Sequence, residues 1–228
     1  MNELALSSLN LTIGGGTGTT EVAAAMKIFL FLTILSLAPA ILLTMTSFTR
    51  IVVVLSFLRQ AMGVAQSPPN QVLVGLALFL SVFLMAPVLK QVHEEAVSPF
   101  MAGQMDYKAA LDKASTPLKR FMFAQTRQKD IELLLELSKG ERPKDLSELS
   151  MSVMMPAFVL SELKTAFEIG FLIYLPFVMI DMVVAMVLLT MGMMVLPPII
   201  VSLPFKIMLF VLVDGWNLVV GSLLRSFK

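Results

Sequence analysis

Long apolar runs separated by short polar breaks dominate the hydropathy pattern of this chain. Four runs reach the length of about 20 residues that a helix needs to cross a bilayer: Val22–Phe48, Gln71–Leu89, Phe171–Leu196 and Ile199–Leu224. Of the 228 residues, 57% are hydrophobic and 14% are charged, whereas soluble domains average about 45–50% and about 25%. The pattern therefore predicts an all-α, polytopic membrane protein whose apolar helices fold into hairpins.

Residues 1–21 are polar and rich in glycine and threonine, which predicts a flexible N-terminal tail. They lack the basic region and the apolar core of a signal peptide. Either the first apolar helix acts as its own insertion signal, or a cleaved leader has already been removed from this numbering.

Residues 22–89 are predicted to form the N-terminal apolar helices. Proline cannot donate a backbone hydrogen bond and disfavours helix in the residue before it. We therefore expect Pro39 to interrupt the first helix and Ser67–Asn70 to separate it from the next. Pro87 and Lys90 are expected to end that second run.

Residues 90–150 differ in composition, since they hold ten of the 17 Lys and Arg residues and ten of the 16 Asp and Glu residues. A cytoplasmic loop would carry an excess of Lys and Arg near its flanking spans. The balanced charge permits an extracytoplasmic location, and we expect a small helical domain there.

Two amphipathic helices are predicted within this segment, Asp106–Ala114 and Leu118–Ser138, with Thr116–Pro117 as cap and first turn of the second. Apolar residues recur near helical spacing along the second helix and include Phe121 and Leu134. One interpretation is that this stripe is buried within the segment itself. The other is that part of it packs on neighbouring copies of the chain, because about 60 residues make only a marginal core.

Residues 151–228 are predicted to be C-terminal apolar helices broken by a methionine-rich turn. Met191, Met193, Met194 and Val195 immediately precede Pro197–Pro198, where the helix has to stop. Non-helical backbone at membrane depth occurs only where it is buried in protein or lines an aqueous cavity. Methionine side chains are flexible and apolar, so the turn is interpreted as a soft constriction that gates a path.

Six charged residues lie in the apolar tract 151–224, where a charge at the bilayer centre costs about 2.5–3.5 kcal/mol on insertion scales. They are Glu162, Lys164, Glu168, Asp181, Lys206 and Asp214. One hypothesis makes Asp181 or Asp214 a proton or cation site of a transporter. The other pairs the charges across helix or subunit contacts, in an assembly that holds the helices partly outside lipid.

The sequence contains no combination of residues typical of an enzyme or a metal site. It has no cysteine, which excludes disulfides and thiolate chemistry, and its one histidine, His93, adjoins Glu94 and Glu95 at a predicted helix end. That arrangement is interpreted as a solvated terminus. We expect no enzymatic activity and no cofactor, and the net charge of +1 does not indicate nucleic-acid binding.

Five long stretches of the chain are distinctive: LTMTSFTRIVVVLSFL at 43–58, PPNQVLVGLALFL at 68–80, SELKTAFEIG at 161–170, GMMVLPP at 192–198 and LPFKIMLFVLVDGW at 203–216. In these stretches the chain resembles the FliP family, the P subunit of the flagellar type III export gate, whose virulence-secretion counterpart is SctR. The stretch FMFAQTR at 121–127 resembles the flagellar branch more than the virulence branch.

The resemblance implies a homo-oligomer, a pentameric helical ring that assembles with FliQ-like and FliR-like subunits into a gate for unfolded exported proteins in the inner membrane of the flagellar basal body. It places residues 90–150 on the periplasmic side and the methionine loops at a gasket on the axis. Met193, Met194 and Val195 would occupy that gasket. Val195 stands where family members carry a third methionine, and its β-branched side chain is stiffer.

The resemblance also implies that Glu162 and Lys206 are partners across helices or between subunits, so that Glu162→Ala and Lys206→Ala each impair assembly. Two alternatives come from other classes. An ion-coupled small-solute transporter would require Asp181 or Asp214 to titrate, but the sequence has no inverted repeat. A pure scaffold without a pore would tolerate loss of the methionine loop.

Overall fold

The chain folds into helices in a computed structural model that describes residues 19–64, 67–138, 149–193 and 195–227. No β-strand occurs within these ranges, which confirms the prediction of an all-α fold. The helices are α1 Thr19–Thr44, α2 Phe48–Ala61, α3 Asn70–Val92, α4 Ser98–Met101, α5 Tyr107–Gln125, α6 Gln128–Leu137, α7 Met151–Thr190, α8 Pro198–Leu212 and α9 Gly215–Arg225, with a π-helical turn His93–Val97 between α3 and α4.

Two continuous helical stretches of the described residues are long and apolar enough to cross a membrane. They are Asn70–Met101, with 32 residues, and Met151–Thr190, with 40 residues. The α8 and α9 helices form a third span if they are counted as one broken unit, and Ala25–Ile41 of α1 is a shorter apolar helix. Apolar helices of membrane-spanning length are thus confirmed, but they number two or three in the described residues and not the four that the hydropathy pattern predicted.

A bend of 65° separates α8 from α9, so the apolar run Ile199–Leu224 is divided between two helices. Asp214 adopts the left-handed conformation there, with φ of 51°, which aspartate tolerates better than most residues. A Cβ atom added to Gly215 would lie 2.2 Å from the Phe210 ring. The aspartate–glycine pair therefore makes a tight bend that hydropathy alone does not reveal.

Prolines interrupt fewer helices than expected. The α1 helix continues through Pro39 and α3 continues through Pro87, because the loss of one backbone hydrogen bond does not outweigh the many that remain in a long helix. Similarly, α5 passes through the buried Pro117, and the break between α5 and α6 lies at Thr126–Arg127. The predicted start of a helix at Thr116–Pro117 is wrong, whereas Asp106 does cap α5 by accepting a hydrogen bond from the Ala109 backbone at 3.2 Å.

The chain divides into two units between Ile41 and Leu42, and the second unit contains the three buried clusters of the core. Each cluster includes a different part of α7. The N-terminal cluster joins α5 and α6 to α7, the middle cluster joins α2, α3 and α9 to α7, and the last joins the end of α2 and α8 to α7. The α7 helix is therefore the common scaffold of the unit.

The helices of segment 90–150 bury their apolar stripe against α7 of the same chain. Met122 and Ile131 are buried beside Phe158 of α7. Phe121 and Leu134 are partly buried against the same cluster, and the rings of Phe121 and Phe158 are 6.0 Å apart. A further contact of Phe121 and Leu134 with a neighbouring copy stays a prediction.

Candidate functional site

The methionine-rich turn begins with a glycine-dependent helix end. The Gly192 amide donates to the Leu189 carbonyl at 3.1 Å, and the Met193 amide donates to the Leu188 carbonyl at 2.9 Å. Gly192 has φ of +74°. This pair of hydrogen bonds with a left-handed glycine is the Schellman motif, which satisfies the last carbonyls of a helix.

The turn ends at two prolines. Pro198 is the first residue of α8, where its missing amide hydrogen costs nothing and its fixed φ suits a helix start, and Pro197 precedes it as the N-cap. Backbone chemistry therefore stops α7 and starts α8 within seven residues. The segment 191–197, which connects the two helices, is called the gating loop here after the role that the sequence predicts for it. The predicted helix break at this position is confirmed.

Apolar side chains of the gating loop are exposed. The exposed fraction is 66% for Met191, 41% for Met193 and 95% for Val195. Met194, the remaining predicted loop residue, lies outside the described residues. In a single chain the loop is thus an apolar tip without packing partners for Val195.

An ion pair between α7 and α8 lies behind the gating loop. Lys206 Nζ is 2.6 Å from Asp181 Oδ2 and donates a second hydrogen bond to the Ala61 carbonyl at the end of α2, at 3.3 Å. The Ser202 hydroxyl donates to Asp181 Oδ1. The Lys206 side chain is 4% exposed and that of Asp181 is 27% exposed. This clamp joins both arms of the α7–α8 hairpin to α2.

A second ion pair is fully enclosed. Arg50 Nε donates to Glu162 Oε2 at 2.8 Å and Arg50 Nη2 donates to Glu162 Oε1. Arg50 Nη1 donates to the Ser226 carbonyl at 2.9 Å and to its hydroxyl at 3.0 Å, and Nη2 donates to Gln125 Oε1 at 3.3 Å. The guanidinium carbon lies 3.8 Å from the centre of the Phe227 ring. All five N–H donors of the guanidinium are therefore used.

A third ion pair lies on the surface where α5 meets α6. Arg127 Nη2 is 2.8 Å from Glu168 Oε2 on α7, and the two side chains are 29% and 58% exposed. The Arg127 backbone amide also donates to the Ser161 hydroxyl of α7 at 3.0 Å. The α5–α6 junction is thus fixed to α7 by both backbone and side-chain contacts.

The structure gives Glu162 and Lys206 different partners from the ones expected of them. They are buried, but Glu162 pairs with Arg50 and Lys206 pairs with Asp181. Glu162 and Asp181 are nineteen residues apart on α7, which corresponds to about 28 Å of helix, so Glu162 and Lys206 do not meet within one chain. A contact between these two residues of neighbouring copies stays a prediction.

The other predicted charges lie nearer the surface. Lys164 is exposed on α7, Asp214 is exposed at the bend before α9, and Glu168 pairs with Arg127. His93 is exposed in the π-helical turn. Within the described ranges no group of three or more His, Asp or Glu side chains could hold a metal ion.

Sequence reasoning overlooked Arg50, although it is the most connected charged residue of the described chain. Its signal is visible, because Arg50 precedes the apolar run Ile51–Leu58 and is the one charged residue between Lys27 and Arg59. A cation in such a run predicts a buried acidic partner.

These features define a class, namely α-helical membrane proteins whose few embedded charges are paired between helices and whose last hairpin carries an apolar tip. The FliP family model matches residues 31–223 of the chain. A flagellar biosynthetic protein FliP from Bacillus subtilis strain 168 is 52% identical over 95% of this chain and 98% of its own length.

Similar proteins come from distant bacteria. The flagellar biosynthetic protein FliP of Caulobacter vibrioides is 50% identical over 99% of this chain and 84% of its own length. That of Aquifex aeolicus is 46% identical over 96% of this chain and 91% of its own length. The chain belongs to the FliP family.

Proposed function

We propose that this chain is a non-enzymatic core subunit of the bacterial flagellar protein export gate, located in the inner membrane. With further copies of itself, as a pentamer, and with FliQ-like and FliR-like subunits, it would form a channel for unfolded exported proteins. The observation that carries this proposal is membership of the FliP family together with relatives that are named flagellar biosynthetic proteins. Those names also favour flagellar use over virulence secretion.

The gating loop supports the closing role. An apolar tip with Val195 95% exposed gains free energy when neighbouring copies cover it, because about 25 cal/mol is recovered per Å² of apolar surface removed from water. Tips that converge on an axis would exclude water and ions by dewetting. Methionine side chains can repack around an unfolded chain that passes.

The clamp behind the loop supports a mechanical role for the embedded charges. Asp181 has both carboxylate oxygens engaged, one by Lys206 and one by Ser202. A residue so engaged holds the hairpin arms together, and its charge is already paired with Lys206. This geometry supports a structural role for Asp181 and a loop held in place by its own hairpin.

Segment 90–150 would lie on the periplasmic side. Its balanced charge supports that location, and the packing of α5 and α6 on α7 would fix the segment to the helix that also carries the gating loop. In a channel formed by several copies, segment 90–150 would then surround the periplasmic side of the path, and the gating loops would close it.

The first experiment is the native mass of the detergent-extracted complex after co-expression with the small partner subunits. We expect a defined multimer of this chain that contains unlike subunits. A stable monomer or dimer without partners would contradict the proposal, because the gating loop would then have no ring to line.

A second experiment tests the loop itself. In the assembled complex, Met193→Ala is expected to raise ion leak across vesicles above the level of the unmodified complex, because a smaller side chain leaves space for water. Met186→Ala is the matched control, since Met186 is an equally apolar residue of α7, 69% exposed but outside the loop. Unchanged leak in both variants would favour a scaffold without a pore.

A further inference from the structure

We infer that Ser226 and Phe227, which follow α9, form a latch that closes α9 onto the buried Arg50. The latch belongs to the fold of a single chain, so it goes beyond the proposed gate and can be tested without partner subunits. It joins two ends of the second unit, since Arg50 lies near the start of α2 and Ser226 lies 176 residues later.

The latch is recognised through its backbone as well as its side chains. Arg50 donates to the Ser226 carbonyl and hydroxyl, and the Gln125 amide group donates to the Phe227 carbonyl at 3.1 Å. Gln125 also accepts from Arg50 at 3.3 Å. Arg50 and Gln125 therefore bind the backbone carbonyls of two consecutive residues, Ser226 and Phe227.

The Phe227 ring adds a contact with the Arg50 side chain. The Arg50 guanidinium lies over its face at 3.8 Å, a distance at which a cation and an aromatic face attract each other. Arg50 is 2% exposed, so the ring and the latch backbone complete the enclosure of this charge. Without the latch, two of the five guanidinium donors would lose their acceptors, and a buried donor without an acceptor is costly.

Apart from the latch, the helix that carries it is held by apolar contacts at its start and along its length. At its start, Gly215 is pressed against Phe210, and Trp216 lies edge-on to the same ring at 5.5 Å. Along its length, Leu223 is buried in the middle cluster of the core, whereas Leu218 is 57% exposed. Val219 also packs against the middle and last clusters, so detachment of the latch would free the residues after Leu223 while Val219 and Leu223 keep the rest of α9 in place.

The chain contains no cysteine, so a single introduced cysteine reports opening directly. Ser226→Cys places a thiol in the latch, and Ser222→Cys places one on the exposed face of α9 one turn earlier. Both are labelled with a water-soluble maleimide in the full-length chain, purified in detergent. We expect Cys at 226 to react about tenfold more slowly than Cys at 222, because position 226 is half-buried against Arg50 whereas position 222 is exposed.

The decisive comparison adds Gln125→Ala to the Ser226→Cys chain. Loss of one hydrogen bond to the Phe227 carbonyl is expected to raise the labelling rate at 226 by roughly fivefold. Gln128→Ala is the matched control, since Gln128 is an exposed glutamine whose side chain donates a hydrogen bond to Glu132 at 2.8 Å. It should leave the rate unchanged.

A third reporter separates local opening from unfolding. Ser81→Cys lies in α3, where Ser81 is 4% exposed and far along the chain from the latch. It should stay protected when Gln125→Ala is added. Equal rates at 226 and 222 in the parent chain, no effect of Gln125→Ala, or simultaneous exposure of positions 81 and 226 would each overturn the latch.

Discussion

The enclosed pair Arg50–Glu162 and the clamp Asp181–Lys206 solve the same problem in different surroundings. In each pair, a charged side chain in an apolar part of the chain is neutralised by a side chain of opposite charge on another helix. The Arg50 and Glu162 side chains are 2% and 0% exposed, whereas Asp181 of the clamp is 27% exposed. Burial therefore increases the cost of breaking the first pair, and water remains available to part of the second.

The two pairs also differ in what they connect. Arg50 collects acceptors from α5, α7 and the segment after α9, so it connects three parts of the chain at Glu162, which precedes the gating loop by 29 residues along α7. Lys206 connects α8 to α7 and to the end of α2, close to the hairpin that carries the loop. The Arg50–Glu162 pair thus connects several helices of the fold, whereas the Asp181–Lys206 pair holds the hairpin that carries the candidate gate.

The largest effect is expected from breaking the enclosed pair. Glu162→Ala leaves the Arg50 guanidinium buried without its carboxylate, which should lower the free energy of unfolding by about 3–5 kcal/mol. Thermal unfolding in detergent measures the change. Glu168→Ala is the matched control on the same helix, because Glu168 is 58% exposed.

The double variant Arg50→Met, Glu162→Leu sharpens the same test. Removal of both charges eliminates the uncompensated ion, so the double variant should be more stable than Glu162→Ala alone. If the double variant were as unstable as the single one, the loss would come from packing and not from an unpaired charge.

An intermediate effect is expected from the clamp. Asp181→Asn keeps the shape of the side chain and its contact with Ser202 but removes the charge opposite Lys206. We expect a loss of about 1–3 kcal/mol in the free energy of unfolding, smaller than for Glu162→Ala because Asp181 is partly exposed. Asp214→Asn, at an exposed position, should change stability by no more than about 0.5 kcal/mol.

The smallest effect is expected from the surface pair. Arg127→Ala removes the contact with Glu168 but keeps the backbone hydrogen bond to Ser161, so the loss should be about 0.2–1 kcal/mol. Because the pair is exposed, its contribution should decrease as salt is added. A loss as large as that for Asp181→Asn would show that exposure does not rank these pairs.

Local chemistry made several features predictable. The Pro197–Pro198 signal predicted the helix break before α8, and the helix predicted to begin at Asp106 does begin there, with Asp106 as its cap. Expected breaks at Pro39 and Pro87 did not occur, because a proline inside a long apolar helix removes only one backbone hydrogen bond. A proline ends a helix reliably where a glycine or a second proline also opposes its continuation.

The candidate site was predicted only in part. The gating loop follows from residues that are adjacent in the chain, whereas the partners of the buried charges do not. Arg50 and Glu162 are 112 residues apart, and no local pattern favours Arg50 over another cation as the partner of Glu162.

Apolar runs, helix caps and turn residues act within one or two helical turns. The sequence by itself therefore determined the all-α class, the membrane-length helices and the loop between α7 and α8. The tertiary structure decided the bend at Asp214–Gly215, the pairing of the charges and the docking of Ser226–Phe227. A buried charge is costly without a partner, and the packing of the helices determines which partner lies within reach.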